Sequence, residues 1–494
     1  MLFNSAEYLL ALLPLSFFVY FQLTRRKLLL AGKAFLVLAS LFFYGWWNPA
    51  NLWLILFSII VNFAVGRRLT VKLTGTDGKT RRKLILLGGI AFNLGLLAYF
   101  KYADFVVGNL NGLMGSDLPL PHVVLPIAVS FFTFTQIAYL VDCHRGEAQE
   151  YDVLRYFLFV TFFPHLIAGP ILHHKEMMPQ FASARNSIIR YPNIALGLFL
   201  LSIGLFKKVI VADSFAKWAT AGFDQATTLS FFEAWAASLS YTFQLYFDFG
   251  GYTDMALGSA LLFNIRLPIN FNSPYKAVSI QDFWHRWHMT LSRFLRDYLY
   301  LPLGGNRRGV PRTLANLFLT FVLGGLWHGA GWMFVAWGAL HGTAMVVHRV
   351  WRNLGGAMPQ LLAWFITFNF VNLTWIFFRA REMKDALKVL SGMAGLNGIM
   401  LPQQWSKALS ALNGTGITFG PWLTRIEGDH WTVLWLAGAL VLVLAFRNSN
   451  ELAPQSGRAP VLRFRWAAFC AALMALSMVA VLSSTYSEFI YFNF

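Results

Sequence analysis

His328 is the residue best placed to do chemistry, in the run LTFVLGGLWHGAGWMFVAWGALHG (319–342). Apolar residues surround it, and Gly324, Gly325, Gly329 and Gly331 flank it closely. Glycines remove side-chain bulk, so helices or a ligand can approach the backbone. An ionisable residue among apolar ones is costly and is a functional candidate by default. Desolvation favours the neutral imidazole, leaving one ring nitrogen to accept a proton as a general base does. A histidine that only hydrogen-bonds between packed helices presents the same pattern, and the residues alone do not separate the two.

A second cluster lies at SIQDFWHRWHMTLSRFLRDYLYLPLGGNRRG (279–309), 40 to 43 residues earlier if counted from His288 and His285. Trp284, Trp287, Leu291, Phe294, Leu295 and Tyr298 recur at helical spacing, with Arg286, Arg293 and Arg296 on another face. That stripe predicts a helix lying at the membrane surface, where arginines meet lipid headgroups. The same arginines, with the GGNRRG turn, suit the phosphates of a cofactor. His165, between Pro164 and Pro170, reads as a broken helix lining a cavity or as a loop histidine. Asp248 and Asp254 bracket a glycine pair, expected to be a turn where they act as caps or lining carboxylates. The chain ends SEFIYFNF, where Tyr491 offers a phenolic hydroxyl and the aromatics suit an interface anchor.

The elements that position these groups must be membrane helices. Of 494 residues, 57% are hydrophobic and only 13% charged, against about 25% charged in soluble domains. This excludes disorder, a disulfide scaffold and a soluble enzyme. Cys143 and Cys470 show no metal-ligand spacing, so no metal site is expected. The net charge of +18 fits the excess of Lys and Arg in cytoplasmic loops better than nucleic-acid binding, because no basic domain lies outside the spans.

Apolar stretches near 8–24, 28–46, 52–66, 84–100, 123–141, 194–211, 231–249, 314–330, 332–348, 361–378, 433–446 and 467–483 predict ten to twelve transmembrane or re-entrant helices. The basic segments 67–83, 264–313 and 447–466 are expected in the cytoplasm, which puts both chain ends outside. The segmentation is a single membrane domain over 1–483 and an extracytoplasmic tail over 484–494. With so little mass outside the bilayer, transport and intramembrane catalysis are the live classes.

The blocks FFPHLIAGPILHHKEMMPQF (162–181), FWHRWHMTLSRFLRDYLYLPLGGNRRG (283–309) and GGLWHGAGWMFVAWGALHG (324–342) together resemble the membrane-bound O-acyltransferases. Within that family they are similar to the bacterial branch that acetylates alginate or passes D-alanine to teichoic acid. The resemblance implies an all-α polytopic fold in a bacterial inner membrane, with helices ringed around a thinned centre and a tunnel through it. It implies that His328 is the active-site histidine and that His288 is the family's second important one. It implies acetyl-CoA as a donor that is not permanently bound, with Arg286, Arg293 and Arg296 as candidates for its phosphates. The tail resembles a Phe-x-Tyr-x-x-Phe motif in which Tyr491 accepts the acyl group. A periplasmic partner resembling SGNH hydrolases would then complete O-acetylation of an extracytoplasmic polysaccharide, with membrane lipids as the remaining contacts. A carrier-bound D-alanyl donor, a polysaccharide transporter and an export scaffold are the rival readings. A transporter should show repeated halves or charged pairs in its spans, and the sequence shows neither.

Overall fold

A computed structural model describes residues 1–71, 75–149, 152–167, 169–412, 415–453, 464–483 and 489–490. Tyr491 therefore lies outside the described residues. Among the described residues, seven helices are long and apolar enough to cross a membrane: Glu7–Arg25, Asn51–Thr70, Asp77–Met114, Tyr191–Gln225, Gly309–His328, Gln360–Arg379 and Phe464–Ser483. Leu29–Gly45 and His430–Ala445 are shorter apolar helices. Every stretch expected from the sequence contains a helix. The one near 123–141 starts only at Val129, because Pro121 and Pro126 hold the preceding residues out of helix. The fold is thus all-α and polytopic; its described strands are a single parallel pair, Ile399–Pro402 with Ile417–Gly420, in the loop between late helices.

Three helices carry the argument that follows: α1, Tyr191–Gln225; α2, Phe231–Leu262; and α3, Gly309–His328. Helix α2 starts with a capping box in which Ser230 and Glu233 satisfy each other's exposed amides. Its 32 residues are almost all buried, and at about 1.5 Å per residue it is longer than a bilayer core is thick. The expected turn at Gly250–Gly251 does not form, and the helix runs straight through. The glycines serve contact instead. A Cβ on Gly251 would lie 2.6 Å from the Gly204 carbonyl oxygen, so only glycine lets α1 and α2 touch backbone to backbone. That contact also settles the acidic residues, which are neither caps nor free lining groups. Asp254 pairs with Lys207 at 2.7 Å and Asp248 with Lys208 at 2.8 Å across it. Lys208 also reaches Asp213 at 2.8 Å.

The segment 162–181 is a broken helix, as its prolines predict. His165 is buried, its Nε2 donates to the Phe159 carbonyl at 2.9 Å, and it lines a small cavity of about 10 Å³ together with Pro170. Downstream, His173 and His174 are buried too, with the His174 ring packed between Tyr139 and Phe159. Burial pushes both imidazoles down to about 4, helped at His173 by the nearby Arg293. A histidine depressed in the folded state stays neutral while its unfolded counterpart takes a proton near pH 6.5. Stability is therefore full above pH 6.5 and is lost as pH falls toward 4, by about 1.4 kcal/mol per pH unit for each such group. Thermal unfolding in detergent is expected to show this slope, and His174→Phe to make it shallower. An unfolding temperature flat from pH 7 to 4.5 overturns the assignment.

Candidate active site

The surface helix expected from the stripe at 280–298 is broken in two. Helix α4 covers Ile280–Arg286, helix α5 covers Met289–Leu295, and between them His288 adopts a left-handed conformation with φ +42°. The apolar stripe is wide enough to be core rather than membrane anchor, and Trp287 is 1% exposed. Asn270 holds the break open. Its carbonyl accepts the Met289 amide at 3.0 Å, and its Oδ1 accepts the Thr290 hydroxyl at 2.6 Å. Thr290 in turn accepts the Ile171 amide at 3.0 Å, tying the 162–181 segment to the same point. The strained turn drives the His288 ring inward, where it is 0% exposed.

His328 is the last residue of α3. The helix packs against α6, Trp332–Asn353, where a Cβ on Gly325 would come within 3.0 Å of the Gly338 Cα. The flanking glycines thus bring the two helices together behind the histidine. Lys101 Nζ donates to the Trp327 carbonyl at 2.7 Å and to the His328 carbonyl at 2.9 Å, and the Tyr102 hydroxyl donates to the Leu326 carbonyl at 2.7 Å. These donors satisfy carbonyls that a helix end leaves unpaired, and the lysine charge complements the negative end of the helix dipole.

The structure brings the two principal histidines together: the His288 and His328 rings lie 6.5 Å apart, centre to centre. That is too far for a direct hydrogen bond and near enough for both to reach one bound group. Aromatic rings enclose the pair. Trp327, Trp337 and Phe378 surround His328, and Phe249 meets His288 edge-on at 4.9 Å. His328 is only 5% exposed.

A cavity of about 620 Å³ approaches this pair from the side carrying the basic segment. Its lining includes His285, Arg293, Arg296, His348 and Arg349, without a carboxylate among the lining residues. Trp284 and Phe321 are also among its lining residues. The Trp284 ring is 5.8 Å from Trp337, which is 5.2 Å from His328, so one layer of indole separates cavity from imidazole. The expected passage to His328 is closed by that layer in this conformation.

Of the three arginines, two reach the cavity. Arg293 also holds Glu176 with two bonds, at 2.6 and 3.1 Å, and Arg296 pairs with Asp297 at 2.7 Å. Arg286 is outside the lining and pairs with Asp282 at 2.8 Å, one turn back on its own helix. His285, without a role from the sequence, is a lining residue.

Sequence reasoning missed His341 and Lys101. His341 is 0% exposed, and its Nδ1 accepts the Trp284 indole N–H at 3.2 Å. Its Nε2 must then carry the proton, which it donates to the Thr374 hydroxyl at 3.0 Å. This chain fixes the rotamer of Trp284, an indole lining the cavity. The i, i+3 spacing from Gly338 to His341 puts both on the α6 face toward α3, a readable but unspecific signal. Lys101 follows an apolar span and reads as a snorkelling lysine; only the folded chain shows what it caps.

Comparison with known proteins places the chain in a family. The family described as MBOAT, membrane-bound O-acyltransferase, matches residues 128–381, which include both histidines. Over the whole chain and 98% of the other protein, the sequence is 46% identical to a peptidoglycan O-acetyltransferase of Helicobacter pylori. It is 38% identical to a probable alginate O-acetylase AlgI of Pseudomonas aeruginosa, over 85% of this chain and 79% of that one. A teichoic acid D-alanyltransferase of Streptococcus thermophilus is 27% identical over 51% of this chain and 68% of its own. With full-length similarity of this order and a pair of buried histidines beside a basic cavity, the chain belongs to the membrane-bound O-acyltransferase family and is a multi-pass membrane O-acyltransferase.

Proposed function

We propose that this enzyme moves an acetyl group from acetyl-CoA in the cytoplasm to a hydroxyl on the far side of the membrane, for O-acetylation of an extracytoplasmic polysaccharide. The observation that carries the reading is the convergence of His328 and His288, 6.5 Å apart, near a cavity whose charged lining is wholly basic and which includes Met289, next to His288. The volume falls in the range of small-ligand sites, and arginines suit phosphate. Arg293 and Arg296 meet the phosphates of the donor, while its thioester end points at Trp284.

In the transfer step, His328 removes the proton of the attacking hydroxyl as its oxygen bonds the thioester carbonyl carbon. The carbon–sulfur bond then breaks, and the leaving thiolate takes the proton back from His328 as a thiol. His288 holds the acceptor or the carbonyl oxygen. Because Trp284 and Trp337 lie between cavity and base, transfer requires these two indoles to shift. The acceptor is Tyr491, from which a periplasmic hydrolase-like partner passes the group to the polymer. The full-length similarity to a peptidoglycan enzyme supports peptidoglycan as that polymer.

Mass spectrometry of the C-terminal peptide tests the reading. After acetyl-CoA is supplied to membranes, an acetyl ester is expected on Tyr491, absent in Tyr491→Phe. A D-alanyl ester formed only with a carrier-bound donor would replace the acetyl reading. A tail that carries no acyl group while polymer acetylation continues overturns the relay.

A further inference from the structure

The last described residues of the chain are not on an outer surface. Phe489 is 0% exposed, and its ring stacks on Tyr252 of α2 with centres 4.1 Å apart. It also lies 5.9 Å from Phe249, the ring that meets His288. The Ile490 amide donates to Asp248 Oδ2 at 2.9 Å. Asp248 is 1% exposed, and its other oxygen faces Lys208, itself 2% exposed.

We propose that Asp248, held by Lys208, is a docking site for the chain's own C-terminal tail at Phe489–Ile490 and sets the register in which the tail meets the two-histidine site. The proposal rests on the reading of Tyr491 as acyl acceptor and adds what selects it. The tail holds two tyrosines, Tyr486 and Tyr491. A buried carboxylate that accepts one backbone amide fixes the tail at one residue, because a charge-assisted bond to a desolvated group is lost if the tail slips. The stacked Phe489 ring fixes the same position through a second contact of a different kind. With Ile490 anchored, the next residue along the chain is Tyr491, while Tyr486 stands four residues back. Lys208 is needed in this arrangement because an unpaired carboxylate at this depth would take up a proton and cease to hold the amide as strongly.

Hydrogen exchange on the full-length protein in detergent, read at single amides, tests the docking. The Ile490 amide is expected to exchange at least tenfold more slowly than an unstructured amide. In the Asp248→Asn/Lys208→Met pair, which removes both members of the Lys208–Asp248 ion pair, that protection is expected to fall at least tenfold, with the amides of α2 unchanged as the sign of an intact fold. Acyl on Tyr491 is expected to fall by a similar factor. In Tyr491→Phe the Ile490 protection is expected to persist. An unprotected Ile490 amide in the native chain, or protection that survives the paired substitution, overturns the docking site whatever happens at Tyr491. Persistent protection in a Tyr491→Phe protein that still acetylates polymer overturns the acceptor reading and leaves the docking site standing.

Discussion

His328→Gln is expected to fold and insert normally and to lose acyl transfer by about 10²–10⁴-fold, the usual contribution of a positioned general base. Glutamine fills a similar volume, and the Lys101 and Tyr102 bonds are made to backbone carbonyls, so the end of α3 stays capped in the variant. The measurement is label transferred from radioactive acetyl-CoA, beside the unfolding temperature of the same preparation. The loss should appear in kcat, with KM for the donor little changed, because the basic cavity is walled from His328 by Trp284 and Trp337. A His328→Gln enzyme that transfers at the native rate would return the residue to a packing role and favour a scaffold function for the chain.

The second large effect is on stability. Lys208→Met removes the cation facing both Asp248 and Asp213, each 2.8 Å away, from a site where the lysine is 2% exposed. Removing one partner of a buried pair leaves an uncompensated charge and costs about 3–5 kcal/mol. Adding Asp248→Asn returns the cluster to its native net charge, with Asp213 as the remaining carboxylate, and is expected to recover much of that loss, since a buried ion pair and its neutral replacement are often close in stability. Thermal unfolding of the single and double variants reads the cycle. Equal losses in both would mean that packing of the lysine stem, not its charge, holds α1 to α2.

The paired charges at Lys207–Asp254 and Lys208–Asp248 also bear on the transporter reading, which expected charged pairs within the spans. They exist, yet they tie α1 to α2 at a glycine contact and, at Asp248, hold the chain's own tail. Neither arrangement lines a path for a polymer.

The sequence by itself determined that this is a helical membrane protein and where its helices lie, and it singled out His328 and His288 as the residues to follow. Apolar length and the scarcity of charge are properties of each segment alone, and a lipid environment leaves helices as the economical way to satisfy backbone groups. The motif blocks carried the two histidines without any knowledge of how the chain folds back. What lay beyond a linear reading were the relations between segments. The stripe at 280–298 has the period of one helix, yet Asn270, ten residues upstream of its start at Ile280, opens it at His288. Gly250 and Gly251 read as a turn because glycine breaks isolated helices, but in the fold the helix continues through them and Gly251 accepts the backbone of α1. Lys101 lies 227 residues from the carbonyl that it caps, and Ile490 lies 242 from the carboxylate that anchors it. A hydrogen bond is specified by geometry within about 3 Å, and periodicity along a chain says nothing about which distant residue will supply the partner. The tertiary structure alone decided which polar groups share a site.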